Sequence, residues 1–214
     1  MTILPSTGKF YILFYKPYGV LSQFTREAGY LSLSDFGPFP PHTYAAGRLD
    51  ADSEGLILLT NDSFVLHRIT DPVFAHIRTY LVQVEGIPDE DDLESLQRGI
   101  VIGGRRTKPA RASLLIHEPP LPPRPVPIRV RKQIPTSWIE LCLREGKNRQ
   151  VRRMTAAIGH PTLRLVRTSI TFLSLQELEP GEYRYLTTSE VKKLYHLISP
   201  SPRSISRGIS HKNH

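Results

Sequence analysis

The stretch Tyr44-Ala45-Ala46-Gly47-Arg48-Leu49-Asp50-Ala51-Asp52-Ser53-Glu54-Gly55-Leu56-Ile57-Leu58-Leu59-Thr60 sets three acids and an arginine directly against an apolar run. Gly55 to Thr60 (GLILLT) reads as a strand covered on both faces, because unbroken Leu and Ile bounded by polar residues leave no solvent face. Carboxylates so close to a core must be paired or hydrogen-bonded, so the loop from Gly47 to Glu54 is expected to carry chemistry. Two readings of these residues stay open. Asp50, Asp52, Glu54 and Gly55 mimic the start of a calcium loop, but the twelfth position holds Asn61 instead of the bidentate Glu, and the flanks read as loop and strand. Alternatively, one carboxylate is held by an arginine and works without metal as a nucleophile or base.

Outward from this strand the pattern is α+β, with a mixed, mainly antiparallel sheet and packed helices. Phe10–Tyr15 reads as a strand ended by Lys16-Pro17-Tyr18-Gly19, and Leu31–Phe36 as a short helix before a Gly37-to-Pro41 loop. Asn61 or Asp62 caps a helix over Ser63–Ile69. Thr79–Glu85 alternates as a strand with Tyr80, Val82 and Val84 on one face, and a helix bearing Leu93 and Leu96 follows Gly86-Ile87-Pro88-Asp89. Residues 100–117 read as two or three short strands around Gly103-Gly104. Seven prolines between Glu118 and Pro135 exclude regular structure there, leaving either an arm for a polyanion or a spacer. Trp138–Leu143 alternates as a strand that carries Cys142 as a packing residue. Asn148 is expected to cap a helix over Arg149–Ile158, and Leu163–Leu175 returns as a strand or strand pair.

The chain has 214 residues and a formal charge of +8, the size of one domain. Its longest apolar run, Phe10 to Tyr15, is too short for a membrane span or a signal core. A soluble, cytoplasmic protein is therefore expected. The single cysteine excludes an intrachain disulfide and multi-cysteine zinc sites, and the eight histidines show no ligand spacing, so no metal is expected. The charge is concentrated. Arg124 to Arg167 holds eleven basic residues, nine of them Arg, against Glu140 and Glu145, for a net +9, while the rest of the chain nets −1. Clustered guanidinium groups suit bidentate pairing with phosphate, so nucleic acid is the expected partner.

Read together, these stretches resemble the RsuA-type ribosomal pseudouridine synthases. Gly47-Arg48-Leu49-Asp50-x-Asp52-Ser53-x-Gly55-Leu56 is similar to that family's central motif, and Leu13-Phe14-Tyr15-Lys16-Pro17-Tyr18-Gly19-Val20 to its N-terminal lysine–proline motif. Tyr80-Leu81-Val82-Gln83-Val84-Glu85-Gly86 resembles its tyrosine motif, Glu145-Gly146-Lys147-Asn148-Arg149-Gln150-Val151-Arg152-Arg153-Met154 its arginine-rich motif, and Leu165-x-Arg167 the short element beyond. Five motifs in one order span residues 10 to 175. Two departures stand out. Only nine residues precede Phe10, so the S4-like domain that many members carry there is expected to be absent, and Arg78-Thr79-Tyr80 stands where Lys-x-Tyr is usual. The short N-terminus, Ser22-Gln23-Phe24-Thr25-x-Glu27-Ala28-Gly29 and Ile134-to-Trp138 resemble the branch that acts on 23S ribosomal RNA of the large subunit.

The resemblance implies the pseudouridine synthase catalytic fold over residues 10–198, after an extension over 1–9 and before a disordered tail over 199–214. It implies isomerisation of a uridine, with no cofactor, by a monomer that needs no obligate protein partner. Asp50 becomes the catalytic nucleophile or base and Arg152 its partner. Tyr80, which on its strand pattern alone reads as a core residue, becomes the ring that stacks on uracil and moves a proton. Leu165 would pack on the other face of the base. Arg48, Lys147, Arg149, Arg153 and Arg167 are expected on the RNA backbone. The alternatives are a catalytically silent RNA-binding or ribosome-assembly protein on the same fold, and a metal-dependent nuclease using Asp50, Asp52 and Glu54.

Overall fold

A computed structural model describes residues 8–128, 131, 133–176 and 178–199. Residues 1–7 and 200–214, with most of the expected extension and tail, lie outside the described residues, as do Arg129 and Lys132 of the basic segment.

In chain order the elements are β1 (Tyr11–Lys16), β2 (Val20–Leu21), β3 (Leu31–Ser32), a 3-10 turn over Leu33–Phe36, β4 (Tyr44–Ala45), β5 (Glu54–Thr60) and α1 (Ser63–Thr70). A second 3-10 turn (Pro72–Phe74), β6 (Arg78–Glu85), α2 (Glu90–Arg98), β7 (Val101–Ile102), β8 (Arg105–Arg106) and β9 (Arg111–Leu114) follow. The chain closes with β10 (Thr136–Leu143), α3 (Gln150–Ala157), β11 (Thr162–Ile170), β12 (Leu173–Ser174), β13 (Tyr183–Tyr185) and α4 (Thr188–Ile198). The main sheet runs β13-β1-β5-β11-β6-β10-β9, with β4 beside β5 and β12 beside β11. Its neighbours are antiparallel except at the centre, where β5 and β11 pair in parallel through Glu54–Val166 and Gly55–Arg167. The sheet is thus mixed and mainly antiparallel, as the patterning implied.

Burial explains the strand sequences. β1 and β5 are buried along their whole length because both faces are covered. Ile12, Phe14, Ile57 and Leu59 join the main core with Val82, Ile139 and Met154, while Leu13, Leu56 and Leu58 meet Val65, Ile69 and Leu194 on the other face. β6 instead alternates, with Tyr80, Val82 and Val84 buried and their neighbours half-buried. Asp62, not Asn61, caps α1, its side chain accepting from the Phe64 N–H at 3.0 Å.

Two local expectations are corrected. Leu31–Phe36 is not a helix throughout. Leu31 and Ser32 pair in parallel with Val20 and Leu21, and a single turn starts only where Asp35 accepts from the Ser32 N–H and hydroxyl. The cap of α3 is Arg149, in the left-handed region at φ 49, instead of Asn148, because the Gln150 side chain reaches back to accept from the Lys147 N–H at 3.0 Å. The Pro-rich stretch has no helix or strand among its described residues, and side chains hold it down. Arg164 donates to the Pro122 carbonyl at 2.8 Å, and Arg124 lies over the Tyr18 ring while donating to the carbonyls of Val126 and Pro127. The elements β13 and α4 had no counterpart in the sequence reading.

Candidate active site

A cavity of about 540 Å³ opens where the loop before β5, the central strands β6 and β11 and the turn before α3 converge. Gly47 to Ala51 form one wall, with Leu49 buried into the core as the anchor beside Asp50. The Asp50 backbone is fixed from both sides. On one side the Ser22 hydroxyl accepts from the Leu49 N–H (3.0 Å) and donates to the Leu49 carbonyl (2.7 Å). On the other, the Ala51 carbonyl accepts from the Gly19 N–H at 2.7 Å and from Lys16 Nζ at 3.4 Å, and the Asp50 carbonyl accepts from the Ser53 N–H. Lys16 is fully buried and also donates to the Pro17 and Val20 carbonyls. Burial pushes its ammonium down to about 7 against the opposing pull of Glu54, Asp52 and Asp50. The lysine–proline motif thereby acts as a brace for the loop before β5. Two buried backbone groups and one buried ammonium satisfied by short loops make a rigid mount.

The three acids do not act together. Glu54 points away from the cavity into a buried, bidentate pair with Arg164, at 2.9 Å (Nε–Oε1) and 2.8 Å (Nη2–Oε2). Asp52 takes Arg149 at 3.1 and 2.9 Å. Burial alone raises the Asp52 carboxyl, but the Arg149 hydrogen bonds and the Arg152 charge hold it below the usual range. Asp50 is left as the half-buried carboxylate on the cavity wall, with Arg149 Nη1 at 3.6 Å. Among the described residues no group of three or more His, Cys, Asp or Glu is placed to hold a metal ion.

Of the site residues expected from sequence, Asp50, Tyr80, Leu165, Arg48, Lys147, Arg149 and Arg167 all line the cavity. Arg152 does not, and it contacts Asp52 in place of Asp50, with Nη2 donating to the Asp52 carbonyl at 2.6 Å and Nε 3.4 Å from its carboxylate. The nearest arginine to Asp50 is Arg149, three residues earlier, because the left-handed turn at Arg149 aims that side chain back over the loop. Arg153 lies outside the cavity, its guanidinium against Gly103. Arg167 is buried at 3% exposure, with Nε on the Leu56 carbonyl at 2.8 Å and Nη2 without a hydrogen-bond partner among the described residues. A backbone phosphate on the outer surface does not reach it. Burial pulls the Arg167 guanidinium down, and the neighbouring Tyr80 pulls it back up. Arg78, in place of the usual lysine, donates to the Ile69 carbonyl at 2.9 Å at the end of α1.

Sequence reasoning missed Ser22, the Lys16 contacts and the Glu54–Arg164 pair. Gly55 explains how β11 comes so close. At φ 116 it has no Cβ, and one placed there would overlap the Arg167 backbone across the parallel pair.

Residues 10–157 match the family model described as RNA pseudouridylate synthase. The chain is 51% identical over 175 residues to a ribosomal large subunit pseudouridine synthase E of Xanthomonas campestris pv. campestris, covering 81% of this chain and 93% of that one. It is 50% identical over 176 residues to a protein of the same name from Vibrio vulnificus, covering 82% and 74%. A crystal structure of a pseudouridylate synthase superposes with a TM-score of 0.72 at 33% identity, covering 87% of this chain and 74% of that one.

Proposed function

We propose how the site works from the premise that this chain belongs to the RNA pseudouridylate synthase family and isomerises uridine in ribosomal RNA. The N1–C1′ glycosidic bond breaks, C5 joins C1′, and the proton lost from C5 is matched by one gained at N1. No atom is imported, so the residues need only bind, hold charge and move a proton.

The target uridine enters the cavity by flipping out of its stack, at a cost of a few kcal/mol offset by phosphate contacts. Asp50 supplies the carboxylate that starts bond cleavage, and the observation that supports this most is its mount on the cavity wall, where Ser22 pins the backbone of Leu49 and Gly19 and Lys16 pin that of Ala51 on either side of it. Arg149 stands 3.6 Å from the Asp50 carboxylate and Arg152 holds the Asp52 side of the loop. Tyr80 offers its ring to the base and its phenol as the proton carrier, with Leu165 as the opposing wall. The buried Nη2 of Arg167 donates to a uracil or ribose oxygen. Arg48 and Lys147 meet the RNA backbone at the rim. The substrate is 23S ribosomal RNA of the large subunit, met in the cytoplasm by a single chain that needs neither cofactor nor protein partner. The test is incubation of the purified protein with 23S ribosomal RNA lacking modifications, followed by mapping of pseudouridine. One new pseudouridine at a defined position supports the reading, and unmodified RNA after many enzyme equivalents refutes it.

A further inference from the structure

Beyond the cavity, one basic surface has no role in the chemistry. Arg153 lies on α3 one turn after the cap residue Arg149, linked to it by the Arg153 N–H to Arg149 carbonyl bond at 3.0 Å. Arg149 is at the cavity rim, while Arg153 is exposed and lies flat on Gly103. Gly103 and Gly104, both at positive φ, form the two-residue turn between β7 and β8. Arg105 follows this turn, exposed, and its register partner is Ile102, which packs on the main core. Neither the Arg105 nor the Arg153 side chain has a hydrogen bond or ion pair among the described residues. Guanidinium groups gathered without carboxylates repel one another unless an anion is supplied.

The hairpin is also keyed to the arginine-rich turn. Buried Glu145 accepts from the Lys108 N–H just beyond β8 at 2.9 Å and from the Gln150 side chain at 2.6 Å. Gln150 in turn accepts from the Lys147 N–H, so one carboxylate registers the hairpin, the cavity rim and the start of α3.

We propose that Arg153 and the β7–β8 hairpin, with Arg105, form a second RNA-backbone site that continues from the Arg149 rim and grips phosphates flanking the target nucleotide. This rests on the reading of the chain as an enzyme acting on ribosomal RNA. The glycine turn leaves room for the Arg153 guanidinium to lie against the hairpin while facing outward. The site recognises phosphate charge, not base identity.

The experiment measures affinity for 23S ribosomal RNA over a salt series, beside turnover. Replacing Arg105 and Arg153 together by Ala lowers the magnitude of the log–log salt slope by roughly 1.4–1.8, about 0.7–0.9 for each lost contact, and the loss falls on KM rather than kcat. Gly103→Asp removes no cation. Asp tolerates this left-handed position and pairs Arg153 internally, so it too lowers the slope, whereas Arg153→Lys retains most of it. Slopes for both the double variant and Gly103→Asp that equal wild type, in an enzyme that makes pseudouridine, overturn this site while leaving the enzymatic reading intact. A wild-type protein that makes none overturns the reading itself.

Discussion

Glu54→Gln tests whether Glu54 holds the loop before β5 in place rather than taking part in the chemistry. The change keeps the shape but leaves Arg164, only 7% exposed, as a buried charge without its counterion. Breaking such a pair by removing one partner costs about 3–5 kcal/mol, a large part of the roughly 5–15 kcal/mol that holds a domain together. For a chain of this size each kcal/mol shifts the unfolding midpoint by about 2–4 °C, so a drop of about 6–20 °C is expected. Arg164 also holds the Pro122 carbonyl, so the Pro-rich stretch loosens with it. The double variant Glu54→Gln/Arg164→Met, which removes both charges, recovers most of the loss. Thermal unfolding by circular dichroism gives the midpoint, and turnover is measured well below it and normalised to folded protein. Turnover per folded molecule stays within a few-fold of wild type. An unchanged midpoint refutes the buried pair, and a stable variant without turnover makes Glu54 a chemical group.

Gly55→Ala forces β11 to move by on the order of 1 Å and carries Leu165 and Arg167 with it, so kcat falls about 100-fold or more in protein that still binds RNA. Ser22→Ala leaves the Leu49 N–H and carbonyl unsatisfied beside Asp50. It costs about 1–3 kcal/mol in denaturant unfolding and about 10- to 100-fold in kcat. For acid stability, burial alone raises Asp62, but hydrogen bonds from Tyr195, Tyr11 and Lys9 hold it at about 2, and Arg184 is the main cause that holds Glu190 at about 2. Both are depressed in the fold, so their contribution is complete above the unfolded values and is lost as pH falls from about 4.5 toward 2. Urea midpoints across that window fall for wild type and less steeply for Glu190→Gln.

Much of the scaffold was legible because single-element signals carried it. The Leu-and-Ile run of β5 could satisfy only a strand covered on both faces, and the alternation of Tyr80, Val82 and Val84 placed β6 with one face inward. What escaped depended on partners distant in sequence. Glu54 meets Arg164 across 110 residues, and nothing local distinguishes that carboxylate from Asp50. Arg149 rather than Arg152 approaches Asp50 because one residue enters the left-handed region ahead of α3, a rotation that composition does not encode. Arg167 reads as a surface cation until the close approach at Gly55 draws it inside. In contrast, α4 carries its signal locally. Thr187 and Glu190 make a capping box, and Val191, Leu194 and Ile198 recur at helical spacing.

The proposed chemistry starts at the Asp50 carboxylate, and the direct measurement is tritium release from 5-labelled uridine in 23S ribosomal RNA by Asp50→Asn. The variant keeps the side chain's size and every backbone contact that pins the loop, so unfolding midpoint and RNA affinity stay close to wild type. Release should fall to background over many enzyme equivalents, while wild type, assayed with EDTA present, releases tritium stoichiometrically with pseudouridine formed. Measurable release by folded, RNA-binding Asp50→Asn would contradict the assignment of the chemistry to this residue.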